Sequence, residues 1–95
     1  MRKFKPKGTV EYVRMSDIII PRFIAESHPS QKKIDEYTKR YIKFGYIDTP
    51  VTVYPETNEK GKPNKLILVD GFIRWKIAKE WNEDYIPVKY QYEYI

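Results

Sequence analysis

The chain has 95 residues and a formal net charge of +5, which suits one small domain with a modest core. It has no cysteine, which excludes disulfides, thiolate metal sites and a cysteine nucleophile. Its apolar runs fall far short of the roughly 20 residues that cross a bilayer, and the basic start MRKFKPKG lacks the apolar stretch of a signal peptide. The expectation is a cytoplasmic protein without a membrane segment. Four of the positive charges, Arg2, Lys3, Lys5 and Lys7, sit in the first seven residues and leave the remainder nearly balanced. Residues 1–8 therefore read as a basic tail and 9–95 as a single domain. Such a tail either contacts nucleic-acid phosphates or only solubilises the chain end.

In chain order, TVEYVR (9–14) alternates as a strand does, and MSDIII follows as far as Pro21, whose missing N–H ends a ladder. RFIAESHP reads as a loop. SQKKIDEYTKRYIKFG is the clearest helix: Ser30 is its N-cap, Ile34, Tyr37, Tyr41 and Phe44 form one apolar core stripe, and Gly45 stops it. VTVY is a strand that Pro55 should end, and TNEKGKPN is a turn-rich connection. LILV is apolar on both faces and suits a central strand. A second helix runs from Gly71 or Phe72 to about Trp81. The closing YIPVKYQYEYI alternates as a half-exposed strand, whose Tyr90, Tyr92 and Tyr94 raise the prospect of a homodimer formed along that edge. The order β-β-α-β-β-α-β describes an α+β domain with a mixed sheet and two main helices.

The chemistry concentrates at VDGFIRW, where a strand becomes a helix. The first amides of a helix lack internal partners and carry partial positive charge, so anions collect there. Gly71 permits a sharp turn and close approach, and Arg74 lies one turn in, suited to gripping a phosphate. Asp70 is open to three roles: capping the helix, holding Arg74 or binding a metal. An ordinary Asp-Gly turn with an exposed arginine explains the same letters. The spacing is not that of a Walker loop. His28 is the sole histidine and reads as a loop residue, so no zinc site of the usual composition is expected.

Residues 10–90 resemble the ParB N-terminal, or ParB/sulfiredoxin, superfamily. The likeness runs through SDIIIP, IKFGYID, TPVTVYP, LILVDGFIRWKIAKEW and IPVKY. The DG(F/Y)IR-type spelling is similar to a short ParB-like subgroup of Firmicutes and mobile elements. The Gly-Glu-Arg-Arg of ParB reads Gly71-Phe72-Ile73-Arg74 here, keeping the glycine and the last arginine. The resemblance implies a nucleoside triphosphate with Mg²⁺, its phosphates over the backbone of Gly71, Phe72 and Ile73 and against Arg74, with Asp70 orienting or binding the metal. The lost glutamate and arginine argue against hydrolysis of the ParB kind, and the missing cysteine excludes sulfiredoxin activity.

Serine kinases of the same fold use a glutamate in the loop after the first strands, and Glu26 is the one acid in RFIAESHPSQKK. Ser30 and Lys33 would add contacts to an anion there, besides capping the helix. The leading reading is a nucleotide- or nucleic-acid-binding domain, with nucleotide or DNA as partner. Its rivals are a metal-dependent nuclease or small-molecule kinase using Asp70 and Glu26, and a protein-interaction module without ligand chemistry.

Overall fold

A computed structural model describes residues 10–57 and 63–91. The basic tail, most of the turn-rich connection, and Tyr92 and Tyr94 lie outside the described residues. Five strands, β1 (Val10–Arg14), β2 (Ile18–Ile19), β3 (Val51–Thr57), β4 (Pro63–Asp70) and β5 (Tyr85–Tyr90), form one sheet in the order β1-β5-β3-β4-β2. Three helices accompany them: α1 (Arg22–Ala25), α2 (Gln31–Phe44) and α3 (Phe72–Glu80). The β1–β5 and β3–β4 pairs are antiparallel, and β3–β5 and β2–β4 are parallel, so the sheet is mixed as the sequence suggests.

Most of the strand and helix signals act as written. Ser30 caps α2, its Oγ accepting the Lys33 N–H at 3.2 Å. Gly45 ends α2 in the left-handed region (φ 80°), its N–H donating to the Tyr41 carbonyl at 2.7 Å. β4 lies between β3 and β2, and Leu66, Ile67 and Leu68 are all buried, which is why LILV is apolar on both faces. The core joins Val51 and Val53 of β3, Leu66 and Leu68 of β4, Ile86, Val88 and Tyr90 of β5, and Ile77 and Ala78 of α3. Burying a Val, Ile or Leu side chain fully contributes about 1.5–3 kcal/mol. Ile77, 2% exposed, therefore anchors α3 to the sheet.

Three expectations need correction. RFIAESHP is not all loop, because Arg22–Ala25 close one helical turn behind Pro21, which needs no N–H at that cap. Pro55 does not end β3. The Val53 carbonyl accepts the Gln91 N–H at 2.8 Å, so alternate residues of β3 point their backbone groups toward β5. At Pro55 the absent N–H faces that same side, past the last described β3–β5 pair, Val53–Tyr90, so the β3–β4 ladder runs on through Pro55, opposite Leu66.

The third correction concerns the α2 stripe, which is only half covered. Tyr37 and Phe44 are exposed, and no residue of α2 is fully buried, because α2 leans on α3 rather than on the sheet. Over residues 85–90 β5 sits inside the sheet between β1 and β3, and Tyr92 and Tyr94, the outer part of the edge expected to pair with a second copy, lie outside the described residues. The sheet's edge strands are β1 and β2, and Tyr90 is buried with its hydroxyl donating to Glu11 Oε1 at 2.7 Å.

Two glycines have positive φ, and they differ in what surrounds them. A Cβ on Gly45 would meet nothing within 4 Å, whereas one on Gly71 (φ 98°) would lie 2.7 Å from Val51 Cγ1. Gly45→Ala should therefore cost about 1 kcal/mol for the left-handed backbone alone. Gly71→Ala should cost about 2–4 kcal/mol, because overpacking against a fully buried valine adds to it. Urea denaturation of both variants checks this, and equal losses would contradict it.

Candidate functional site

The strand-to-helix junction begins with β4 ending at Asp70 and Gly71 taking the N-cap of α3. The first helical hydrogen bond runs from the Trp75 N–H to the Gly71 carbonyl at 3.0 Å. The amides of Phe72, Ile73 and Arg74 come before it, and Gly71 has no side chain with which to cap them. Asp70 therefore does not cap α3. It is exposed and lines the cavity beside the helix end.

That cavity, about 260 Å³, is lined by Ser27, Pro29, Lys33, Tyr37 and the run Asp70–Arg74. It lies between the turn after α1, the first turn of α2 and the N-terminus of α3. Arg74 turns into the fold. Its Nε is buried with no hydrogen-bond partner, and its Cζ stands 5.8 Å from the centroid of the Tyr37 ring. A guanidinium nitrogen withdrawn from water without an acceptor is costly, and an anion in the cavity would relieve that cost. Gly71 completes the wall, since a Cβ there would come within 3.1 Å of Arg74 Nη2.

A smaller cavity, about 160 Å³, lies on the other side of Arg74, which with Tyr37 lines both. Its wall includes Tyr41, Tyr46, Ile47, Thr49, Ile77 and an ion pair between Arg40 and Asp48. Arg40 Nη2 stands 2.6 Å from Asp48 Oδ2, and Arg40 Nε donates to the same oxygen at 2.7 Å. The hydrogen bond from Arg40 holds the Asp48 carboxyl below its ordinary range, and the positive charge of Arg74 acts weakly in the same direction.

The residues singled out from sequence divide accordingly. Lys33, Asp70, Gly71, Phe72, Ile73 and Arg74 come together around the larger cavity. Ser30 stands at the head of α2 and spends its hydroxyl on the Lys33 amide. Glu26 is not among the lining residues: it is exposed, with Oε2 at 3.3 Å from Arg22 Nε one helical turn back. Among the described residues no group of three His, Cys, Asp or Glu side chains is placed to hold a metal ion. No helix among them is long and apolar enough to cross a membrane.

Sequence reasoning missed Tyr37, whose helical spacing pointed to the core, and the Arg40–Asp48 pair. The available signal was two opposite charges flanking the Gly45 helix stop.

Comparison with known proteins gives a fold. No family profile and no curated protein sequence matches the chain. Among solved structures, C-terminally truncated chromosome-partitioning protein ParB from Caulobacter crescentus, complexed with CTP-gamma-S, superposes with a TM-score of 0.66 at 13% identity, over 90% of this chain and 45% of that one. Sulfiredoxin from Arabidopsis thaliana gives 0.66 at 17% identity, over 88% of this chain and 85% of that one. A free serine kinase in complex with AMP gives 0.63 at 13% identity, over 90% of this chain and 32% of that one. The chain thus spans less than half of the ParB and kinase chains.

The Arg40–Asp48 pair makes a pH prediction. Asp48 has a lowered folded pKa, so the stability it contributes is present above the unfolded carboxylate value and is lost as pH falls through the folded one. Denaturation should find Asp48→Asn less stable than the parent at pH 7, with the gap closing as pH drops well below about 4. A gap independent of pH would show that the carboxylate charge is not involved. This chain has the α+β fold shared by ParB N-terminal domains and sulfiredoxin.

Proposed function

We propose that this chain is a cytoplasmic, ParB-like domain that binds a nucleotide through its phosphates at the N-terminus of α3. The observation that carries the reading is Arg74, a guanidinium lining an open cavity with its Nε buried and unpartnered, beside amides that no side chain caps. Lys33 adds an ammonium from the facing helix. Phe72 and Ile73 contribute backbone N–H groups, and Gly71 keeps the backbone approachable. Proteins of the same fold bind CTP-gamma-S and AMP, which supports a nucleotide as the ligand class.

Asp70 lines the same cavity, and one carboxylate together with phosphate oxygens suffices to hold Mg²⁺. Mg²⁺ accompanying a triphosphate fits there; it would neutralise phosphate charge that Arg74 and Lys33 leave uncompensated. Turnover is not part of the reading, because Glu26 stands outside the cavity and leaves Asp70 as its one lining carboxylate. Arg2, Lys3, Lys5 and Lys7 are the proposed nonspecific DNA contact, a salt-sensitive one.

A nucleotide at 100 times its dissociation constant stabilises its host by about 2.7 kcal/mol, which for a domain of this size raises the melting temperature by roughly 10 °C or more. Thermal-shift assays with CTP, ATP, GTP and ADP, with and without Mg²⁺, should find such a rise for at least one ligand. Arg74→Ala should abolish it and move the apo melting point little, since the Nε has no partner to lose. A rise that survives Arg74→Ala, or none with any nucleotide, contradicts the proposal.

The tail gives a separate outcome. Deleting residues 1–7 should weaken binding to duplex DNA and flatten its dependence on salt, as measured by fluorescence anisotropy. Unchanged binding would remove the tail from the contact.

A further inference from the structure

A second concave surface lies between α1 and α3, separate from the Arg74 cavity except that Phe72 lines both. It is a groove of about 540 Å³ lined by Ile20, Ala25, Phe72 and Trp75, with Lys76, Lys79 and Glu80 along it. The rings of Phe72 and Trp75 stack with centroids 5.9 Å apart at 15°. Each has an ammonium over it: Lys76 Nζ is 5.7 Å from the Phe72 centroid and Lys79 Nζ is 5.1 Å from that of Trp75. The groove adjoins the edge of the sheet, because β2 is the last strand and Ile20 follows it directly.

The Trp75 indole Nε1 is buried and has no hydrogen-bond partner. Leaving such a donor unpaired is costly, and a small shift that brings it to an acceptor in the groove would relieve that cost. The apolar lining calls for apolar side chains, which a phosphate backbone does not supply. The two lysines, against the single Glu80, call for negative charge. An acceptor, apolar anchors and flanking carboxylates occur together in a protein segment.

We propose that this groove docks a segment of a partner protein that is apolar in its anchors and acidic in its flanks. Its apolar side chains lie on Phe72 and Trp75. A carbonyl or carboxylate oxygen of the segment accepts from the Trp75 N–H, and its acids face Lys76 and Lys79. The inference does not depend on the nucleotide reading.

The test is a display selection of random peptides on the full chain, followed by anisotropy titration of the enriched peptide and its ¹⁵N-resolved mapping. The selection should return a consensus of apolar and acidic residues that shifts the Trp75 indole resonance. Lys76→Glu with Lys79→Glu should lower affinity for that peptide at least tenfold and transfer preference to its lysine-for-acid counterpart. Trp75→Phe, which keeps a ring in the groove, should weaken binding by about three- to tenfold. Arg74→Ala should leave it intact.

Four results would overturn the proposal. One is a selection without an acidic consensus, and another is binding indifferent to the charge reversal. A third is a shift pattern centred on Gly71 and Arg74. The last is concentration-dependent self-association that fills the groove with a second copy.

Discussion

The contact on which the site depends is the backbone of Gly71 against the side chain of Val51. Val51 is fully buried at the start of β3, and the chain leaves β4 so close to it that a methyl group at residue 71 would sit inside its van der Waals shell. A positive φ at that point turns a strand directly into a helix. The geometry aims the first turn of α3 at the gap below α2, and Ile77 and Ala78 then fix the helix on the sheet. Three uncapped amides and Arg74 follow from that one turn.

Arg74 is where packing and chemistry meet. It lines two cavities, rests against Tyr37, and keeps its Nε buried without an acceptor. The acid nearest in function, Asp48, is already engaged by Arg40, so Arg74 is not neutralised by an ion pair among the described residues. A guanidinium whose Nε is buried without an acceptor, on the wall of an open cavity, is better satisfied by a ligand oxygen than by none, which gives the cavity a preference in charge as well as in shape. Trp75, the next residue along the helix, has an orphaned donor of its own. Neighbouring positions on α3 thus leave polar groups for two different surfaces.

Much of this was readable in the letters. Ser30 and Gly45 bound α2 because capping is local chemistry, decided within four residues. LILV signalled an interior strand because burial on both faces leaves no room for alternation. The signals that misled were those whose meaning depends on distant neighbours. Pro55 stays in β3 because its missing N–H faces away from β4, with which it pairs opposite Leu66. The stripe of Ile34, Tyr37, Tyr41 and Phe44 has a helical period, but a period does not say whether the facing surface is a sheet or a cavity. Position 85–90 inside the sheet is likewise a matter of strand order, which alternation alone does not carry. At the site, Asp70, Gly71 and Arg74 were visible as a motif, while Tyr37 and Arg40 come to the cavities through the packing of α2 on α3, and Asp48 through the turn after α2.

The most direct measurement of the central claim is a ¹H–¹⁵N titration that follows the Arg74 side-chain Nε–H together with the amides of Gly71, Phe72 and Ile73 as ADP or CTP is added. This account requires those four resonances to move together and saturably at a single apparent affinity, with the Arg74 Nε–H shifted downfield as it gains an acceptor. If they stay still while resonances elsewhere respond, the helix N-terminus is not where negative oxygen atoms are held.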